Sequence, residues 1–168
     1  GLVGSEMCIR DRNIKNLNSI GKKNSDYESS PKIELMSELI LNSSIPLLKK
    51  VENNYNYLTP KILFKINPND MKDYNSADKT IDINNIFNNN RLGLDDTLET
   101  GASLTVGLDY KKEKIEDINK FFEIKLATVF RDREENLLPK KTTINQKNSN
   151  FFGSISVSYT HLRAHETL

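Results

Sequence analysis

The sequence is poor in the side chains that most often carry out catalysis or bind metals. Its 168 residues include two histidines, one cysteine and no tryptophan, and the three that are present lie near the chain ends: Cys8, His161 and His165. No apolar run approaches the roughly 20 residues of a transmembrane helix. The net charge of +1 gives no electrostatic reason to expect a nucleic acid partner. These shortages argue against an enzyme, a metal centre, a cofactor and a nucleic-acid-binding protein.

The two ends of the sequence are related as opposite strands of one DNA. If residue n is paired with residue 168 − n, codons can be chosen so that each pair is reverse complementary, as ATG for Met7 and CAT for His161. The implied DNA is similar to a transposon-end adapter from sequencing libraries, and adapter sequence is excluded from fold reasoning. We therefore expect two foreign ends around a native interior that is part of a longer protein: Gly1–Arg12, Asn13–Ile155 and Ser156–Leu168. The i, i+4 spacing of the histidines then carries no function.

Four segments alternate apolar and polar side chains with the period of a β-strand: KIELMSELILN, YLTPKILFKIN, GASLTVGLDYK and FFEIKLATVFR. Partial strands are expected at Asn13–Ile20 and from Phe151 onward. Each clear segment has about ten residues, which exceeds a typical globular strand and suits a tilted membrane strand. The sequence predicts an all-β fold, an antiparallel meander of about five or six long strands that is part of a large outer-membrane β-barrel. A soluble β-rich binding module with one solvated face gives the same alternation.

The connections between these strands differ in length. The link KEKIEDINK after Lys111 is short, whereas the links from Asn67 to Gly101 and from Arg131 to Phe151 are long. Bacterial outer-membrane barrels have short periplasmic turns and long outer loops. Five aromatic residues are expected at one membrane interface, although core packing is the ordinary alternative: Tyr55, Tyr57, Tyr110, Phe121 and Phe122.

Three stretches, in order, resemble the family of lipopolysaccharide-assembly outer-membrane proteins called LptD, OstA or Imp: YLTPKILFKINPND, IDINNIFNNNRLGLDDTLETGASLTVGLDY and FFEIKLATVFRDREENLLP. The likeness spans most of the native interior and is strongest from Asn85 to Asp95. The resemblance implies a barrel in the cell outer membrane, in contact with its lipid, that inserts lipopolysaccharide into the outer leaflet. It also implies two partners, a plug lipoprotein and a periplasmic bridge. Another outer-membrane barrel, such as a porin or a TonB-dependent receptor, is the alternative.

Charged residues on the less apolar side of the strands are the candidates for a functional surface. We expect six of them to face the barrel lumen: Lys61, Lys65, Asp109, Glu123, Lys125 and Arg131. Such an interior can accommodate the sugars and phosphates of lipopolysaccharide, although charges that pair between strands explain any single residue as well. The acidic cluster Asp95, Asp96 and Glu99 is expected in a solvated loop, because no histidine, cysteine or nucleophile accompanies it.

Overall fold

The computed structural model describes residues 3–4, 7–19, 22–23, 26–27 and 32–159, with side chains from residue 36 to residue 159. Within these ranges the protein is all-β, as predicted, with one 3₁₀ turn, η1, at Lys140–Thr142. The strands are β1 (Val3–Gly4), β2 (Met7–Ser19), β3 (Lys22–Lys23), β4 (Asp26–Tyr27), β5 (Lys32–Ser44), β6 (Leu47–Val51), β7 (Asn54–Asn67), β8 (Gly101–Lys114), β9 (Phe121–Arg131) and β10 (Phe152–Ser158). None of the helical structure in the described ranges is long and apolar enough to cross a membrane.

The main sheet is an antiparallel meander of six long strands. β5 and β6 form one of them, because both pair with β7 in a single register in which Ser44 lies opposite Lys61 and Leu47 opposite Leu58. Pro46 interrupts the assigned strand because it has no backbone N–H to donate. β1 and β2 likewise follow one edge of β6 and β5. The strand order is then β1/β2, β5/β6, β7, β8, β9, β10, and β3 and β4 form a separate two-stranded hairpin.

The connections are asymmetric, as predicted. β6 and β7 are joined by a two-residue turn in which Glu52 has a φ of 52°, and β8 and β9 are joined by residues 115–120. At the opposite end of the sheet, residues 68–100 connect β7 to β8 and residues 132–151 connect β9 to β10. We call these ends the short-turn end and the long-loop end.

The two faces of the sheet differ in chemistry. Leu58, Ile62 and Ile66 on β7 are 37–41% exposed, whereas the alternate residue Leu63 is fully buried. Cross-strand partners share a face, so the exposed surface continues across β5, β8 and β9 through Leu41, Leu104, Leu108, Leu126 and Phe130. We call this side the apolar face and the other the polar face. The predicted separation of side chains within these strands is confirmed from residue 36 onward, whereas the side chains of residues 33–35 lie outside the described residues.

The hydrophobic core lies on the polar face, beneath the two long loops. Residues 68–100 and 132–151 fold together over this face, and we call them the cap. Ala127 and Val129 of β9 form the floor of the core. The cap contributes the remaining buried members: Met71, Ile81, Ile83, Ile86, Leu92, Leu94, Leu138 and Ile144. The long connections are therefore packed structure, and they leave the apolar face of the sheet uncovered.

Candidate functional site

The six residues predicted to face a barrel lumen lie together on the polar face of the sheet. The register places Lys65, Ser103 and Arg131 side by side on β7, β8 and β9. Nearer the short-turn end it places Asp109 between Thr59 and Lys125. The six then separate by environment. Lys65 and Arg131 are buried under the cap, whereas the other four remain partly exposed: Lys61, Asp109, Glu123 and Lys125.

The buried charges form a compact network around Glu99 of the cap. Arg91 donates from Nη2 to Glu99 Oε1 at 2.5 Å and from Nε to Oε2 at 2.9 Å. Arg131 Nη1 donates to the same Oε1 at 2.7 Å, and Lys65 Nζ lies 3.4 Å from Oε2. Glu38 Oε2 is 3.5 Å from Lys65 Nζ on the other side. We call Lys65, Arg91, Glu99 and Arg131 the clamp, because they join two strands of the sheet to the cap.

The clamp determines the ionisation of Glu99. Burial is the largest single influence and would raise the pKa of this carboxyl, because desolvation disfavours its charged form. The charges of Arg91, Lys65 and Arg131 act in the opposite direction and prevail, so the pKa of Glu99 lies well below its ordinary value. The prediction that Glu99 belongs to a solvated loop is wrong, since it is 5% exposed. A buried carboxylate is stable here because three cations surround it.

The rest of the acidic cluster behaves differently. Asp95 is exposed, as predicted for a turn. Asp96 is partly exposed and accepts hydrogen bonds from Tyr74 Oη at 2.6 Å and Lys72 Nζ at 3.0 Å. The Tyr74 hydrogen bond is the main reason that the pKa of Asp96 is lowered. These contacts hold one part of the cap to another and involve no strand residue.

Arg91 is the functional residue that sequence reasoning did not single out. Its Nη1 donates to Thr105 Oγ1 at 2.8 Å and its Nη2 to Ser103 Oγ at 3.1 Å, so that it binds two hydroxyls of β8 as well as Glu99. The small polar residues on this face of β8 supply acceptors and leave room for the guanidinium. Arg91 stands within the segment that carries the family resemblance, and that was the available signal.

A glycine allows the cap to lie close against the sheet. Lys61 Nζ is 5.6 Å from the centre of the Phe87 ring, which is within the range of a cation–π contact. A Cβ built on Gly107 would lie 2.6 Å from the same ring and 2.8 Å from the Leu126 carbonyl oxygen. Any larger residue at position 107 must therefore displace the ring or the strand.

Beyond Phe87 the polar face is uncovered and lined with paired charges. Lys61 contacts Asp109 at 2.5 Å, Lys125 contacts Glu123 at 3.3 Å, and Lys111 contacts Glu113 at 2.7 Å. We call the residues of these three pairs the polar strip. Their side chains are between 11% and 35% exposed, so they are accessible to a polar ligand while being paired with one another. The strip combines both signs of charge and contains no histidine, cysteine or hydroxyl nucleophile.

The fold and the site together define an all-β protein with a two-faced sheet. Its antiparallel sheet carries a bare apolar face on one side and a charged strip beside a packed cap on the other. Among the described side chains no group of three or more histidine, cysteine, aspartate or glutamate residues could hold a metal ion.

The chain belongs to the family LptD, LPS transport system D, whose sequence model matches residues 13–162. The family resemblance is therefore confirmed, and with it a role in lipopolysaccharide transport at the level of the family, which is a transport and assembly family rather than an enzyme family. No curated protein and no solved structure matches the chain at the significance required.

Proposed function

We propose that the chain is a wall segment of an outer-membrane barrel that inserts lipopolysaccharide into the outer leaflet, with its apolar face toward lipid and its polar face toward the lumen. The main support for this proposal is the uncovered apolar face of the sheet, which spans every strand from β5 to β9. Exposed apolar surface of this extent on a folded protein marks a partner or a membrane. Outer-membrane strands carry such an outward apolar band and a polar interior.

The length of the apolar band supports this assignment. On β7 it extends from Leu58 to Ile66, and eight residues of strand rise about 27 Å. At a strand tilt of about 40° this corresponds to about 20 Å along the membrane normal, close to the band of about 25 Å in outer-membrane barrels. An ordinary soluble sheet would bury this face against a second layer.

The aromatic residues add a second line of support. Tyr110 and Phe122 lie on the apolar face near the short-turn end, whereas Tyr55, Tyr57 and Phe121 lie on the polar face beside the polar strip, so only the first two can belong to a lipid-facing girdle. A girdle of aromatic side chains at the interface is a feature of such barrels. In the proposed orientation the short-turn end is periplasmic and the cap lies toward the outer surface.

The proposed conduit uses the polar strip and not the clamp. Lys61, Asp109, Glu123 and Lys125 are accessible, whereas Lys65 and Arg131 are committed to Glu99 and are shielded by the cap. A strip of mutually paired charges can exchange partners with phosphates and sugars one at a time. Weak contacts at each residue suit a conduit, because the lipid must be released as well as bound.

Photo-crosslinking in the full-length protein tests the orientation and the cargo together. A crosslinker at Lys125 should capture lipopolysaccharide, and one at the neighbouring Ile124 should capture membrane phospholipid, because successive strand residues face opposite sides. A crosslinker at Lys65 should capture neither, since the cap covers it. Equal capture of lipopolysaccharide from positions 124 and 125 would contradict the proposal, as would capture of a soluble protein partner from Ile124.

We also propose that the native protein continues beyond Asn13–Ile155, with the periplasmic bridge and the plug lipoprotein as its partners, and that residues 1–12 and 156–168 are adapter-derived. The antisense relation between the two ends supports the second part. Sequencing the genomic locus tests it, and chromosomal codons for MCIRDR next to Asn13 would overturn it.

A further inference from the structure

Among the described side chains of β5 to β9, the carboxylates are confined to the polar face, and the apolar face carries only lysines as charged residues. Every carboxylate on the described side chains of β5 to β9 lies on the polar face: Glu38, Asp109, Glu113 and Glu123. The apolar face of the same strands carries three charges, and all are lysines at the short-turn end: Lys49, Lys112 and Lys114. This face therefore has a positive edge with no acid on the strands to neutralise it.

The positive edge begins at a definite row of the sheet. The last apolar row consists of cross-strand neighbours Leu47, Leu58, Tyr110 and Ile124. The next row toward the short-turn end consists of Lys49, Asn56, Lys112 and Phe122, and we call it the lysine row. Tyr110 Oη donates to Asn56 Oδ1 at 3.1 Å across the boundary. The first two lysines of this face thus stand at one level of the sheet, on either side of β7.

The lysines of this edge are available to a ligand. Lys49, Lys112 and Lys114 are exposed, and within the described part of the chain none of them forms an ion pair. Lys112, Lys114 and Phe122 line a cavity of about 300 Å³, together with Asn54, Lys120, Phe121 and Tyr159. Tyr159 belongs to the segment proposed to be adapter-derived.

We propose that the lysine row binds the head group of an anionic glycerophospholipid, with the acyl chains of that lipid lying along the apolar face. This rests on the proposed function, because it requires the apolar face to contact a bilayer. Adjacent strands are about 4.8 Å apart, so Lys49 and Lys112 stand about 10 Å apart on either side of β7. Two flexible ammonium groups at that spacing can converge on one phosphodiester, and the Asn56 amide lies between them. The Phe122 and Tyr110 rings occupy the level where aromatic side chains meet head groups.

The row also identifies the leaflet. Short turns are periplasmic in outer-membrane barrels, so the row faces the phospholipid leaflet on the periplasmic side. A basic side chain near an anionic membrane surface contributes a salt-sensitive attraction. The predicted ligand is therefore a phospholipid that resides beside the wall, distinct from the lipopolysaccharide that moves along the polar face.

The test uses the full-length protein in vesicles of phosphatidylethanolamine that contain either spin-labelled phosphatidylglycerol or spin-labelled phosphatidylethanolamine. Electron paramagnetic resonance gives the relative association of each label with the protein. We expect a preference for phosphatidylglycerol that falls about fivefold for each lysine removed in Lys49→Gln and Lys112→Gln, equivalent to about 1 kcal/mol per lysine, and that weakens as salt is added.

The control removes the same charge elsewhere. Lys50→Gln changes the neighbouring lysine on the polar face and Lys140→Gln changes one in the cap, and the preference should persist in both. An unchanged preference in the double variant of Lys49 and Lys112, or an equal loss in the control, would overturn the inference. Displacement of the label by inorganic phosphate beyond the effect of sodium chloride at the same ionic strength would also overturn it, since it would indicate a simple anion site. A protein that fails to enter the vesicles refutes the proposed function itself, whereas insertion without a lysine-dependent preference refutes this inference alone.

Discussion

Replacing Glu99 with glutamine should release the cap from the sheet. The change preserves shape and removes the carboxylate that Arg91, Arg131 and Lys65 surround. Three cations then remain under the cap, and of these Lys65 still has Glu38 Oε2 at 3.5 Å. Removing one partner of a buried charge pair costs about 3–5 kcal/mol, because the remaining charges stay desolvated without compensation.

The matched control is Glu123→Gln in the polar strip. Glu123 contacts Lys125 at 3.3 Å, and both side chains are about a quarter exposed, at 23% and 27%. Solvent screens such a pair, so its loss should cost no more than about 1 kcal/mol. The two substitutions make the same chemical change, and they differ in burial and in the number of surrounding cations.

Hydrogen exchange on the full-length protein in a bilayer measures this difference locally. Cap amides such as Leu94 N–H, which donates to Asn90 Oδ1 at 2.8 Å, report opening of the cap. A loss of 3–5 kcal/mol should accelerate their exchange by roughly a hundredfold to a few thousandfold, while Glu123→Gln should change it by less than about tenfold. Comparable small effects of both substitutions would refute the view that the clamp holds the cap.

Three further outcomes are expected. Val106→Arg on the apolar face should lower stability in a membrane-refolding assay by about 2–4 kcal/mol. Thr59→Arg should be tolerated, because Thr59 lies opposite Asp109 on the polar face. Equal losses of stability would contradict the assignment of the faces. Gly107→Ala should lower the free energy of unfolding, measured with urea, by about 1–3 kcal/mol through overpacking against Phe87. Adding Phe87→Ala to the same chain should restore part of that loss. No restoration would mean that the ring is not the obstacle. Because the pKa of Glu99 is lowered on folding, its contribution to stability is complete above the ordinary value of 4.5 and is lost as pH falls below it toward the folded pKa. The protection of cap amides relative to their unprotected exchange rates should fall over that range in the wild type, and an identical acid response in Glu99→Gln would contradict this origin.

The strands and their faces were predictable because they depend on a local pattern. Alternation at Leu58, Ile62 and Ile66 fixes which side of β7 is apolar without knowledge of the other strands. The antiparallel order followed from the short link before Phe121. These features involve neighbours in sequence, or chemistry repeated at every second residue, so the sequence alone specifies them.

The cap and the clamp were not predictable by the same reasoning. Lys65 and Arg131 lie 34 and 32 residues from Glu99 along the chain, and no local pattern relates them. The cap has no regular alternation, and its buried residues, such as Ile86 and Leu138, are spread through segments rich in asparagine and lysine. Burial of Glu99 depends on three cations meeting in space. The expectation of a solvated acidic loop was therefore right for Asp95 and wrong for Glu99.

Thr105 shows that alternation predicts the face of a side chain but not its burial. Alternation places it on the polar face, where an arginine would be expected to find water. In the structure Thr105 is completely buried beneath Arg91, and its Oγ1 accepts a hydrogen bond from Arg91 Nη1 at 2.8 Å. An arginine at position 105 would compete with Arg91 for the same space and for the same carboxylate. The polar-face substitution to compare with Val106→Arg is therefore Thr59→Arg.

The role proposed for this protein is to move lipopolysaccharide to the cell surface. The most direct measurement depletes the full-length protein in its native cells and follows newly made lipopolysaccharide, labelled in its sugar, to the outer leaflet. We predict that arrival at the surface falls as the protein is lost, and that lipopolysaccharide accumulates inside while phospholipid synthesis continues. Arrival at the normal rate after depletion would contradict the account and would favour a porin or a receptor.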